Sequence, residues 1–150
     1  MNGKTTNKPT HNPNLSLRRV RLWLEVKRGK IYYFIPSILW MLVIFFLSGR
    51  SSTGIGGSRT NRFLIHKTLH IIEYAILAIT FYFAFFKTKI FPQVQKYTIF
   101  VSYLYALTDE LHQHFIPGRD GKISDTFIDL LGILLGLYLV KSFLQKRQPS

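Results

Sequence analysis

Between Asp109 and Gly136 the chain reads DELHQHFIPGRDGKISDTFIDLLGILLG, five acids, two histidines, a glutamine, an arginine and a lysine set between apolar runs. Ionisable groups beside hydrocarbon cost several kcal/mol unless paired, so such a cluster is a functional hypothesis by default. Three kinds of chemistry are open to it. Neighbouring carboxylates do not ionise independently, so one of Asp109, Glu110 and Glu73 could give a proton while another, or His70, accepts one. His70 with Glu73, Asp109 and Asp129 could hold a divalent metal, although no fixed ligand spacing enforces it. Arg119 and Lys67 could grip a phosphate or carboxylate, with Tyr74, Gln113, Asp125 and Asp129 lining the site. No Gly-rich phosphate loop, G-x-S-x-G or H-E-x-x-H occurs, so whether the chain is an enzyme stays open.

The elements that must position these residues read as membrane helices. Ile31 to Ser48 carries no charge over 18 residues, about 27 Å of helix and enough to span. Gly49 to Arg62 is Gly/Ser-rich and reads as a loop. Phe63 to Phe86 predicts a second span, interrupted by Glu73, and Lys87 to Lys96 a short basic turn around Pro92. Tyr97 to Leu107 is too short to span alone. Extended to Phe115 it is long enough, with its polar residues at one end; a re-entrant segment is the alternative. Thr126 to Leu144 is the last span.

Helical periodicity sorts the polar residues onto faces. Lys67, His70, Glu73, Tyr74 and Leu77 share one side of the second span. Ser102, Tyr105, Asp109, His112 and Gln113 share one side of the third, with Glu110 beside them. Asp125, Asp129, Gly132 and Gly136 align on the fourth. Gly-x-x-x-Gly admits a close helix neighbour, which turns the aspartates toward the bundle interior.

Composition narrows the setting. The 150 residues are 47% hydrophobic and carry a formal charge of +13. Such a charge suits nucleic acid or an anionic membrane, but the aromatics sit inside apolar runs rather than along a basic stripe, so nucleic acid is excluded as partner. The absence of cysteine removes disulfides and thiolate chemistry. Residues 1–14 read as a disordered tail, and residues 15–30 as a basic amphipathic segment that could lie on an anionic leaflet or simply orient the first span. Residues 31–145 form the membrane domain and 146–150 a tail. Lys and Arg divide 14 against 6 between alternate sides, which expects both termini in the cytoplasm and the polar cluster facing outward.

Each residue also has a plainer role. Lys67 can snorkel at its helix start. His70 and Glu73 can form an i,i+3 pair. Asp125 can be an N-cap. Arg119 can neutralise Asp109 or Glu110. His112 and His114 can be interfacial. The convergence of four or more acids with His70, Gln113 and Arg119 exceeds what capping requires.

At these residues the chain resembles the VanZ-like membrane protein family, named after an accessory protein of teicoplanin resistance. The matching text is K-x-x-H-x-x-E-Y-x-x-L from Lys67 to Leu77, D-E-L-H-Q-x-F-x-P-G-R from Asp109 to Arg119, and S-D-x-x-x-D-x-x-G-x-x-x-G from Ser124 to Gly136. The likeness covers about residues 35–140, with the basic N-terminal 30 residues outside it. Position 129 is Asp where many members carry Asn. The resemblance implies a small multi-pass protein of the bacterial cytoplasmic membrane and a link to glycopeptide resistance, with the quoted residues a shared polar site.

The expectation is thus an all-α, polytopic bundle of four transmembrane helices, embedded in the lipid bilayer. Its site would bind or act on an anionic lipid-linked or cell-wall component, without an identified cofactor beyond a divalent metal. The alternative is a non-enzymatic scaffold whose polar cluster is a structural salt-bridge network. A small transporter is disfavoured, because the cytoplasmic halves are nearly all apolar.

Overall fold

The computed structural model describes residues 30–49, 59–116 and 123–147. Among them are four α-helices and no strand: α1 (Ile35–Ser48), α2 (Arg59–Thr88), α3 (Val94–His114) and α4 (Thr126–Lys146). Short 3-10 turns at Ile31–Phe34 and Ile123–Asp125 lead into α1 and α4. The readings of residues 1–29, of positions 50–58 of the Gly/Ser loop and of Arg119 fall outside the described residues, while the loop expected through Arg62 ends sooner, because α2 already begins at Arg59. The charge-free run around α1, Leu64–Thr88 of α2 and the whole of α4 are long and apolar enough to cross a membrane. At 21 residues α3 is as long as α4, about 30 Å, but Asp109, Glu110, His112, Gln113 and His114 fill its last turns.

Local chemistry sets the helix ends. Pro36 stands in the first turn of α1, where its missing N–H deprives the helix of no bond. Lys89 takes a left-handed conformation (φ 52°) and returns its N–H to the Phe85 carbonyl, closing α2. The turn expected over Lys87 to Lys96 is shorter than its charges suggest. Helix continues through Thr88 and resumes at Val94, because rings rather than charges fill the corner: Phe91 stacks on Tyr97 (3.8 Å between centroids) and packs edge-on against Phe85 (5.6 Å).

The helices pack by close approach. On Gly132 a Cβ would lie 2.5 Å from the Ile71 carbonyl oxygen, and one on Gly136 would overlap that of Ala75. Two glycines four apart on α4 therefore face two backbone positions four apart on α2, so the helices run parallel with their register fixed. Ile44, Tyr74, Leu77, Ala78, Phe81, Phe85, Ala106 and Ile133 form the core. Outside it the usual polarity is reversed. Phe46, Leu64, Phe100, Leu111, Phe127, Leu131 and Tyr138 are exposed, while Glu73, Asp109, Glu110 and Asp129 are buried. Acids inside and hydrocarbon outside is the arrangement a bilayer stabilises.

Candidate functional site

The acids gather where α1 and α3 end and α2 and α4 begin. Because α2 and α4 are parallel and in register, the first turns of α4 stand beside residues 67–71 of α2. Lys67 Nζ meets Asp125 Oδ2 at 2.5 Å, both side chains partly exposed (18% and 27%). One turn deeper, His70 Nδ1 lies 2.9 Å from Asp129 Oδ1, the aspartate side chain only 1% exposed. Two plainer readings are thereby corrected. His70 pairs across to α4 rather than with Glu73 on its own helix. Asp125 occupies the N-cap position of α4 without a capping hydrogen bond, its carboxylate going to Lys67.

From the other side come α1 and α3. Ser48 Oγ donates to Asp109 Oδ1 (2.6 Å) and Gln113 Nε2 to Asp109 Oδ2 (3.0 Å), so both oxygens of this buried carboxylate are engaged. Glu110 is also buried, and its carboxylate joins His70 and Asp129 in a group whose nearest ligand atoms all lie within 4.8 Å of one another. Glu73 is buried as well, and its backbone carbonyl accepts from Trp40 Nε1 of α1 (2.8 Å). His112, read from the sequence as interfacial, stacks on Phe45 (4.3 Å between ring centroids). His114 is exposed.

Tyr74 lies at the floor. It is fully buried, its ring stacked 6.2 Å from His70, and its hydroxyl feels the charges of Asp109, Asp129 and Glu110. Yet neither the Tyr74 hydroxyl nor Asp129 Oδ2 has a hydrogen-bond partner among the described residues. A buried polar atom left so costs about 1–3 kcal/mol, and more when charged. By contrast Tyr105, on the same face of α3 as Asp109, spends its hydroxyl on the Met41 carbonyl (2.6 Å).

Sequence reading noted Trp40 and Ser48 only as the ends of a family-like W-x-x-x-I-F-F-L-S string and gave them no part in the site, and it missed Thr126, which shares a hydrogen bond with Tyr103 (3.2 Å). A lone serine ending the charge-free run was the available signal for Ser48. A second cleft, of about 480 Å³, lies beside Val140, some 16 Å along α4 from Asp129. Its walls are Ile79, Phe83, Leu139, Val140 and Phe143, and it shares no residue with the polar cluster.

Helices clad in hydrocarbon around buried, cross-linked charge define a helical membrane-type protein. The VanZ/LLP1 family model matches residues 4–144, nearly the whole chain, and the chain belongs to that family. The match begins at residue 4, so it takes in the basic N-terminal segment that the motifs alone left outside. No curated protein and no solved structure matches the chain.

Proposed function

We propose that the chain is a four-span protein of the cytoplasmic membrane with both termini inside, α3 completing the set, and that its polar site opens outward to bind an anionic envelope component. Lipid-linked intermediates and cell-wall fragments are the ligands of that chemistry, and weaker glycopeptide action is the expected cellular outcome. Of four buried polar atoms without a partner among the described residues, the two inside the acid cluster carry the reading. A cluster kept only for structure would close on itself, whereas the Tyr74 hydroxyl and Asp129 Oδ2 are buried and unanswered in the middle of one. Lys67, partly exposed at the rim, and Arg119 would hold the anionic group.

If chemistry follows binding, the roles divide unevenly. Both oxygens of Asp109 are held, so it suits positioning more than proton transfer. Glu110, Glu73 and the His70–Asp129 pair are the better candidates for moving a proton.

A second reading has its own observation. Ser48 to Asp109 joins α1 to α3, and Lys67 to Asp125 and His70 to Asp129 join α2 to α4, so the cluster also ties the helices together. Single cysteines at positions 119 and 89, in a chain that has none, test the topology with a membrane-impermeant thiol reagent. Labelling of intact cells at 119 and not at 89 is expected; the reverse would move the site to the cytoplasm and end the envelope reading. Lys67→Ala then separates the two functional readings. Loss of teicoplanin protection at matched abundance supports ligand binding, and loss of abundance supports the scaffold.

A further inference from the structure

We propose that His70, Glu110 and Asp129 form a divalent-cation site, one imidazole and two carboxylates from three helices, suited to Zn2+ or Mn2+. It rests on reading the cluster as a ligand site, but not on the envelope component or on which side the site faces.

The first argument is geometric. One donor atom from each residue lies within 4.8 Å of the others, and His70 Nδ1 and Asp129 Oδ1 are 2.9 Å apart. Adjacent donors around a bound Zn2+ or Mn2+ sit roughly 3 Å apart, since each metal–ligand bond is about 2 Å. The His–Asp pair is already at that spacing, so only the long flexible Glu110 side chain has to close further.

The second argument is independent of spacing. Asp129 Oδ2 is buried and unpartnered, and so is the Tyr74 hydroxyl, which sits among the charges of Asp109, Asp129 and Glu110. A cation accepts the free carboxylate oxygen. The hydroxyl is then placed beside the ion, where a metal-bound water or an outer oxygen of a ligand would meet it.

The third is electrostatic. Four acids, Glu73, Asp109, Glu110 and Asp129, are buried at one end of the bundle. Among the residues whose side chains are described, the basic ones at this end are Lys67 and four histidines, His66, His70, His112 and His114. Lys67 is engaged with Asp125 at the rim, and His112 faces Phe45. Anions held that deep are stabilised most by a positive charge placed among them.

The donor set selects the ion. Mg2+ and Ca2+ favour all-oxygen shells, whereas an imidazole with two carboxylates fits Zn2+ and Mn2+. Three protein ligands leave coordination positions open, the pattern of a site that binds a further ligand rather than one that only braces the fold. An anionic oxygen from a phosphate or carboxylate would complete the shell.

The test uses the full chain in detergent micelles, stripped with a chelator and titrated calorimetrically with ZnCl2 and with MnCl2. About one equivalent of at least one ion is expected, with affinity reduced roughly 100-fold or more in Asp129→Asn and in Glu110→Gln, since even an outer partner of a ligand is worth 10–100-fold. His114→Ala, an exposed side chain outside the proposed ligand set, should bind as the parent does. Absence of stoichiometric binding, or equal affinity in parent, Asp129→Asn and Glu110→Gln, overturns the site. Should Asp129→Asn fail to fold, Glu110→Gln decides alone. None of these outcomes bears on the cysteine labelling above, so the two readings fail separately.

Discussion

The two ends of this helix bundle are joined by opposite means. Where α1 and α3 finish, the helices meet through charge: Ser48 to Asp109, His70 to Asp129, Lys67 to Asp125. At the far end they meet through rings. Phe34 and Phe81 pack on Phe85, Phe85 on Phe91, and Phe91 on Tyr97, with centroids 3.8–5.8 Å apart. Rings cohere in lipid or in water and need no exact partner. Carboxylates do, and burying them is costly even when paired. The aromatic end shows that this chain can join its helices cheaply, and the proposal that the charged end serves a ligand draws on that contrast.

Four substitutions would break or sharpen that contrast. The largest effect should come from the seam running between the two ends. Gly136→Leu would drive a side chain into the Ala75 carbonyl, and because backbone cannot yield as a side chain does, the α2–α4 pair should separate. Loss of monodisperse protein on gel filtration is expected; a folded variant with unchanged melting would refute the parallel seam. Next, Phe91→Ala removes a half-buried ring from the aromatic corner and should cost about 2 kcal/mol of stability, read as a lower melting temperature, with cation binding unchanged. A change in binding there would mean that the ends are not independent.

At the charged end, Asp109→Asn keeps the shape but turns one acceptor into a donor facing Gln113 or Ser48. A cost of about 1–2 kcal/mol in melting is expected, with cation affinity within a few-fold of the parent. Lost binding at unchanged melting would make Asp109 a site residue rather than a brace. The smallest effect on stability belongs to Tyr74→Phe. Its hydroxyl has no partner, so removing it should leave melting unchanged or slightly raised, while binding of an anionic ligand weakens. A lower melting temperature would show the hydroxyl to be part of a closed network, and the scaffold reading would gain.

The parts of this architecture legible in the residues alone are those with a period. Long apolar runs located α1, α2 and α4, helical spacing put Lys67, His70, Glu73 and Tyr74 on one face, and Gly132-x-x-x-Gly136 announced a close neighbour. Pairing across helices was not legible. Spacing offered Glu73 as the partner of His70, since they are three apart on one helix; Asp129, 59 positions away, won because the glycine seam fixes the register of α2 against α4. Ser48 and Asp109, 61 positions apart, were hidden in the same way. The extent of α3 was misjudged at its start because the signal there is aromatic packing at Phe91 and Tyr97, which no local pattern reveals.

That Asp125 and Asp129 reside on α4 has a consequence for biosynthesis. The ribosome delivers Lys67 and His70 more than 50 residues before it delivers their partners. If α3 spans as proposed, the hairpin of α2 and α3 would hold Glu73, Asp109 and Glu110 before the helix that completes their surroundings is made. In the proposed four-span topology, assembly of the site would then be the final event of insertion, and a chain truncated before α4 would leave these acids without the helix that partners them.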